Sequence, residues 1–210
     1  MYREIDLATW ERSKTFHFFR PYDDPYFNVT GNLDVTTLLA FCRERGASFF
    51  HHCLYYSLKT ANDMEPFRLR IAGEKVLCYD RINGGTTVLY DDHTFGFCYF
   101  DYLPERGACV QHIAQRIARL KADPSHIPDS DAPDMIHYSV MPWVSFTGVK
   151  NPRRFGIEDS VPKIVFGKYY ESDGKWWMPL SVEVHHALMD GYHVGVYFQR
   201  FQEELNLLLK

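Results

Sequence analysis

The chain has 210 residues, 46% hydrophobic and 16% aromatic, with a formal net charge of −4. It is long enough to bury a sizeable core, its aromatic content excludes a disordered chain, and no basic block is dense enough to track nucleic acid. No 18-residue apolar run could span a membrane and the acid-containing start MYREIDLATW is no signal peptide, so the expectation is a cytoplasmic protein with neither nucleic-acid nor membrane partners.

In chain order, WERSKTFHFFR (residues 10–20) reads as a short helix. VTTLLAFCRERG (35–46) reads as a second helix, with Asp34 as N-cap and Gly46 as its stop. Residues 48–63 and 103–123 carry amphipathic helical patterns. Between them RLRIAG-E-KVLCYD predicts a hairpin around Gly73, and TTVLY and FGFCYFDY read as strands. ADPSHIPDSDAPD (122–134) is loop-like; a surface connection fits better than a domain boundary, because both flanks look like one sheet-rich unit. MIHYSVMPWVSF reads as another strand. KIVFGKYY-ESDG-KWWMPLSVEVHH is the clearest hairpin, turning at Ser172-Asp173-Gly174. Residues 191–210 close the chain as a helix, with Asp190 near its N-cap. Segregated helices and hairpins predict an α+β fold, a two-layer sandwich with a mixed, mostly antiparallel sheet packed against helices, in one domain over 1–210. Cys42, Cys53, Cys78, Cys98 and Cys109 are odd in number, widely spaced and without a CxxC pair, which predicts reduced, largely buried thiols.

The chemistry concentrates in EVHHALMDGYHVG (183–195). If residues 176–186 form a strand, Met178, Leu180, Val182, Val184 and His186 share one face, and Ser181, Glu183 and His185 the other. His186 then stands at the end of the apolar face, just before Asp190-Gly191 turns the chain into a helix. Limited solvent and a tunable proton affinity there suit a general base. The bland alternative is a satisfied core histidine, and for a lone histidine that alternative is favoured. The same alternation argues against a zinc site built from His185 and His186, which point apart.

The HHxxxDG pattern resembles the signature of CoA-dependent acyltransferases: peptide-synthetase condensation domains, dihydrolipoamide acyltransferases and chloramphenicol acetyltransferase. Three further stretches choose the last family. Ser139 with PWVSF (142–146) resembles its Ser-x-x-Pro-Trp-x-Ser-Phe segment, WERSKTFHFF (10–19) its Trp-x-Arg run, and MPLSVEVHHALMDGYHVG its last strand and turn. The blocks also agree in order and spacing over essentially the whole chain.

The resemblance implies an acetyl-CoA-dependent O-acetyltransferase that acts by direct transfer to a small-molecule alcohol, chloramphenicol first, and so an antibiotic-resistance role. It implies His186 as general base, Ser139 as oxyanion donor, and Asp190 paired with Arg12 to hold the turn rather than serving in a triad. It places Phe18, Phe19, Phe27, Phe95 and Val149 at the acceptor and Trp143, Lys168 and Tyr169 near CoA. It implies no metal, and a homotrimer with active sites at subunit interfaces. His185, His193 and the His51-His52 pair are expected to be structural. The sequence also departs from the family. Asp23, Asn151 and Lys163 stand where apolar pocket residues are usual, Phe97 where a small one is, and Val165 replaces a threonine. FFRPYDDPYF (18–27) puts two prolines and two aspartates into a loop expected to line the pocket. These departures leave three alternatives open: a more polar alcohol as acceptor, a non-catalytic relative, and, weakest, a metal hydrolase.

Overall fold

The computed structural model describes residues 1–123, 132–154 and 156–207. Most of the expected loop at 122–134 and the last three residues of the expected final helix lie outside them. Among the described residues the chain runs β1 (Tyr2–Glu4), α1 (Ser13–Phe19), β2 (Tyr26–Asp34), α2 (Thr36–Arg45), α3 (Phe49–Asn62), a 3-10 turn (Glu65–Arg68), β3 (Leu69–Ala72), β4 (Lys75–Tyr79), β5 (Asn83–Leu89), β6 (Phe95–Phe100), α4 (Arg106–Ala122), β7 (Met135–Met141), β8 (Lys163–Gly167), β9 (Tyr170–Ser172), β10 (Lys175–His185) and α5 (Gly191–Asn206).

The larger sheet has the order β2-β10-β8-β7-β5-β6, with β9 alongside the first residues of β10. The β7–β8 and β5–β7 pairings are parallel and the others antiparallel, so the sheet is mixed as expected. A small sheet, β1-β4-β3, stands beside it. One face of the large sheet carries Met178, Leu180, Val182 and Val184 from β10, Ile164 and Phe166 from β8, and Ile136 and Tyr138 from β7. All are buried with the apolar faces of α2, α3 and α5 in one core. The five cysteines are free and buried, and among the described residues no helix is long and apolar enough to cross a membrane.

Helix ends follow capping chemistry. Val35, not Asp34, takes the cap position of α2, but the Asp34 carboxylate still accepts the Thr36 N–H (3.0 Å), and Gly46 ends the helix at φ 60°. Ser48 caps α3 and Glu105 caps α4. The predicted hairpin at Gly73 forms, with that glycine at φ 57°. The sequence pattern missed β1 and, more consequentially, β2, whose first residues it left in a loop. β2 pairs with β10 along its whole length, from Trp177↔Asp34 to His185↔Tyr26. The segment 163–172, read as one arm of a hairpin, is two strands broken at Lys168-Tyr169.

Candidate active site

β10 ends at His185, one residue earlier than expected, and His186 starts the turn into α5. The His186 amide donates to the Pro25 carbonyl (2.7 Å), which pins the turn to the chain entering β2. Its ring stacks on Phe19 (centroids 3.9 Å apart, 8° between planes) and packs on Phe27 at 4.6 Å. Nδ1 lies 3.1 Å from the Met189 carbonyl. A carbonyl can only accept, so Nδ1 carries the proton and Nε2 keeps its lone pair. A half-buried imidazole stacked on one aromatic ring and packed against a second, with one nitrogen tied and the lone pair of the other free, can take a proton from a hydroxyl placed against it.

Arg12 reaches the same turn. Nη1 donates to Asp190 Oδ2 (2.6 Å) and Nη2 to the His186 carbonyl (3.4 Å). Burial works against ionisation of Asp190, but the Arg12 hydrogen bond and the nearby His193 and Arg12 charges outweigh it and hold the carboxyl at about 2. Oδ1 accepts the Tyr192 N–H (3.0 Å), capping α5, and His193 Nδ1 sits 3.2 Å from the Asp190 amide. With both carboxylate oxygens so engaged, Asp190 is a strut of the turn and no triad partner of His186. The pairing of Arg12 with Asp190 that the resemblance implies is present in the fold.

His185 is buried and its Nδ1 accepts the Ala187 N–H (3.2 Å). Burial, reinforced by the Arg153 charge, pushes it down to about 4, so it is neutral at physiological pH. His51 and His52 lie in α3, and His52 Nδ1 bonds the Ser48 carbonyl at 2.9 Å.

Ser139 lies in β7 on the sheet face turned away from the helices. The register sets Tyr99, Gly85, His137, Lys163, Glu183 and Asn28 in one row across this face, and Ser139, Val165, Ser181 and Thr30 in the next. Alternation along β6 puts exposed Phe95 and Phe97 on it too. His186 is on the helix side with Phe27, whose register partner is Val184. Ser139 is displaced from Ser181 by two strand spacings, about 10 Å, and His186 is five residues beyond Ser181, about 16 Å along the strand. One chain therefore gathers Phe18, Phe19, Phe27, Arg12, Asp190 and His186 at one end of the helix side, and Ser139 and Phe95 on the other face. It does not bring base and serine together. Val149 is half-buried in the loop after β7.

A cavity of ≈ 360 Å³ opens beside β7, lined by Phe49, Phe50, Val140, Pro142, Lys168 and Tyr169 among others. The break between β8 and β9 shapes it. The Lys168 amide donates to the Val144 carbonyl (3.0 Å) and Ser145 Oγ to the Lys168 carbonyl (2.7 Å), while Tyr169 packs edge-on against Phe49 and Trp176. Trp143 is 66% exposed, which removes core packing as its role. Among the described residues no three His, Cys, Asp or Glu side chains converge to hold a metal ion.

Two of the polar departures, Asn151 and Lys163, have partners within the protein. Asn151 Nδ2 donates to Glu183 Oε2 (3.1 Å), Lys163 Nζ to the Pro152 carbonyl (3.3 Å), and Arg153 pairs with Glu183 and with Asp159 (3.3 Å). Glu183, Arg153 and Asp159 were not singled out from the sequence. The one available signal was a glutamate on a buried strand, which demands a partner.

Comparison with known proteins follows the same line. A profile of the chloramphenicol acetyltransferase family matches residues 1–202. The chain is similar to the chloramphenicol acetyltransferase of Proteus mirabilis, with 29% identity over 201 residues, covering 95% of this chain and 92% of the relative. A solved chloramphenicol acetyltransferase superposes with a TM-score of 0.85 at 26% identity, covering 98% of this chain and all of the other. The dihydrolipoamide acetyltransferase of Azotobacter vinelandii shares the fold, with a TM-score of 0.68 at 17% identity, covering 94% of this chain and 89% of that one.

Proposed function

The chain belongs to the chloramphenicol acetyltransferase family, and from that premise we propose that it transfers the acetyl group of acetyl-CoA to a hydroxyl of chloramphenicol. His186 Nε2 takes the hydroxyl proton as the oxygen attacks the thioester carbonyl, a role typically worth ~10²–10⁴-fold. The Ser139 hydroxyl donates to the resulting oxyanion, where charge develops in the transition state. Collapse breaks the C–S bond, and the departing thiolate recovers the proton from the imidazolium. The products are an O-acetyl ester and free CoA, with no acyl-enzyme between. The observation that carries this reading is the tethered His186 ring, with Nδ1 bonded to the Met189 carbonyl and Nε2 left basic.

Base and oxyanion donor come from different copies of the chain. The two faces and the separation of Ser139 from His186 support this, as does the exposed aromatic pair Phe95 and Phe97 on the serine's face. The assembly is a homotrimer with a site at each of its interfaces. The pantetheine arm runs in the Tyr169–Phe49 cavity, and exposed Trp143, next in sequence to the cavity-lining Pro142, contributes to CoA binding. The internal pairing of Asn151 and Lys163 supports chloramphenicol over a more charged alcohol, because those groups are not left seeking a ligand.

Complementation tests this reading. His186→Ala and Ser139→Ala should each abolish most CoA release, the serine change by about 10²–10³-fold. Co-expressed as equal mixtures, random trimers place an intact histidine against an intact serine at about a quarter of interfaces, so roughly a quarter of wild-type turnover should return. Mixtures as inactive as the single variants would place base and serine in one chain and overturn the two-chain site.

A further inference from the structure

We propose that Arg153 is a positioning residue for the acceptor half of the site, clamping the described residues of the loop 149–162 onto β10 through Glu183. This rests on the acetyl-transfer reading and deepens it.

Glu183 lies three residues before His186 on a strand whose neighbours are all apolar on one side, and its carboxylate is 5% exposed. It is not stranded. The Arg153 guanidinium, 9% exposed, binds Oε1 through Nη2, and Asn151 donates to Oε2 from its side chain (3.1 Å) and its amide (3.4 Å). Nη1 of Arg153 reaches Asp159 (3.3 Å), and the guanidinium lies 3.1 Å over the Tyr26 ring. Asp159 in turn accepts the Val161 N–H (2.8 Å) and approaches Lys163 Nζ (3.6 Å). Arg153, Lys163, Glu183 and Asp159 sum to zero charge, so the cluster is neutral, although the buried Arg153 Nε has no hydrogen-bond partner. Glu183 thus holds one arm of the loop through Asn151, and the Arg153 fork ties it to the other arm at Asp159.

The location gives the clamp its consequence. Glu183 and Lys163 stand in the row next to Ser139 on the same face, so the loop forms a wall beside the oxyanion donor. On its other side, Tyr26 pairs in register with His185 and their rings meet at 5.0 Å, one residue before the base. A buried ion pair adds little net stability over apolar side chains of similar volume. What it fixes is geometry: a planar fork that reaches two carboxylates while stacked on a ring holds the loop in one orientation.

The test separates holding the fold from holding the acceptor. Arg153→Met and Glu183→Gln alone each strand a buried partner and should lower the melting temperature. The double variant strands neither and should recover most of that loss. Its KM for the acceptor should nevertheless stay raised by about tenfold or more, with KM for acetyl-CoA within about twofold of wild type. Arg153→Lys should not rescue the acceptor KM, since a point charge cannot span two carboxylates above a ring. A double variant with a wild-type acceptor KM, or one in which both KM values rise together, would overturn the clamp. Should wild-type protein bind acetyl-CoA yet release no CoA in the presence of chloramphenicol or another small alcohol, the activity reading fails on its own. Hydrogen exchange then decides the clamp: faster exchange in the described residues of the loop in Arg153→Met supports it, and unchanged exchange refutes it.

Discussion

His185 gives the sharpest quantitative prediction, because its burial has a defined pH signature. The ring titrates at about 4 in the folded chain against 6.5 ordinarily, a depression of about 2.5 pH units, or roughly 3 kcal/mol at about 1.36 kcal/mol per unit. The sign is set by which state binds the proton first. Below pH 6.5 the unfolded chain protonates His185 and the folded chain does not, so stability is full above 6.5 and falls as pH drops towards 4. His51 and His52 are also pushed down by burial and act in the same direction. Asp190 acts only below its ordinary value of 3.8, so it stays out of this window. His185→Asn isolates the one ring, since the amide oxygen can accept the Ala187 N–H in place of Nδ1 without titrating. The assay is urea unfolding at pH 7.5 and 4.5, at fixed protein concentration because the chain is proposed to assemble. Between those pH values wild type should lose about 2.5 kcal/mol more than the variant. A difference below about 0.5 kcal/mol would refute the argument that His185 is held neutral by burial.

Two further outcomes follow from the site. Arg12→Met removes the hydrogen bonds to Asp190 and to the His186 carbonyl; the pair is only partly buried, at 17% and 35% side-chain exposure, so about 1–2 kcal/mol should go, read by urea unfolding, with a fall in kcat as the turn loosens. Tyr169→Ala and Phe49→Ala widen the cavity beside β7 and should raise KM for acetyl-CoA by roughly tenfold while leaving the acceptor KM near wild type, and a change confined to the acceptor would assign the cavity to the wrong substrate.

Much of this was legible in the sequence, and the failures have physical causes. β10 announced itself because Met178, Leu180, Val182 and Val184 alternate along one buried face. β2 did not, although it pairs with β10 throughout, because Asn28, Gly31, Asn32 and Asp34 all disfavour strands. Three of the four serve contacts that a local pattern cannot contain. Asn28 Nδ2 donates to Ser181 Oγ (2.7 Å), and the Asp34 carboxylate pairs with Lys175 (3.0 Å). A side chain at Gly31 would stand 3.1 Å from the Phe198 ring. The tertiary demand overrode propensity, and a reading by propensity failed exactly there in proportion. At the site, the HHxxxDG motif pointed to His186 and Asp190, and the Trp-x-Arg run to Arg12. The acceptor of the Nδ1 proton was hidden, because a backbone carbonyl at Met189 has no sequence signature.

The polar departures show the same limit from the other side. Asn151 and Lys163 suggested a pocket made more polar for its ligand. The missing information was the partner: Glu183 lies 32 residues from Asn151, and Asp159 beside Lys163 completes a neutral set with Arg153. A polar side chain penalises a mismatched ligand only when binding leaves it unpaired. Paired within the protein, it acts through the shape it imposes. On the proposed reading, the chemistry of acetyl transfer sits in the turn at His186, held by Arg12 and Asp190 on the helix side. The proposed acceptor wall sits on the other face, held by Arg153 and Glu183. β10 joins the two, so a substitution in the wall can change which alcohol is accepted while the proton-taking nitrogen keeps its place.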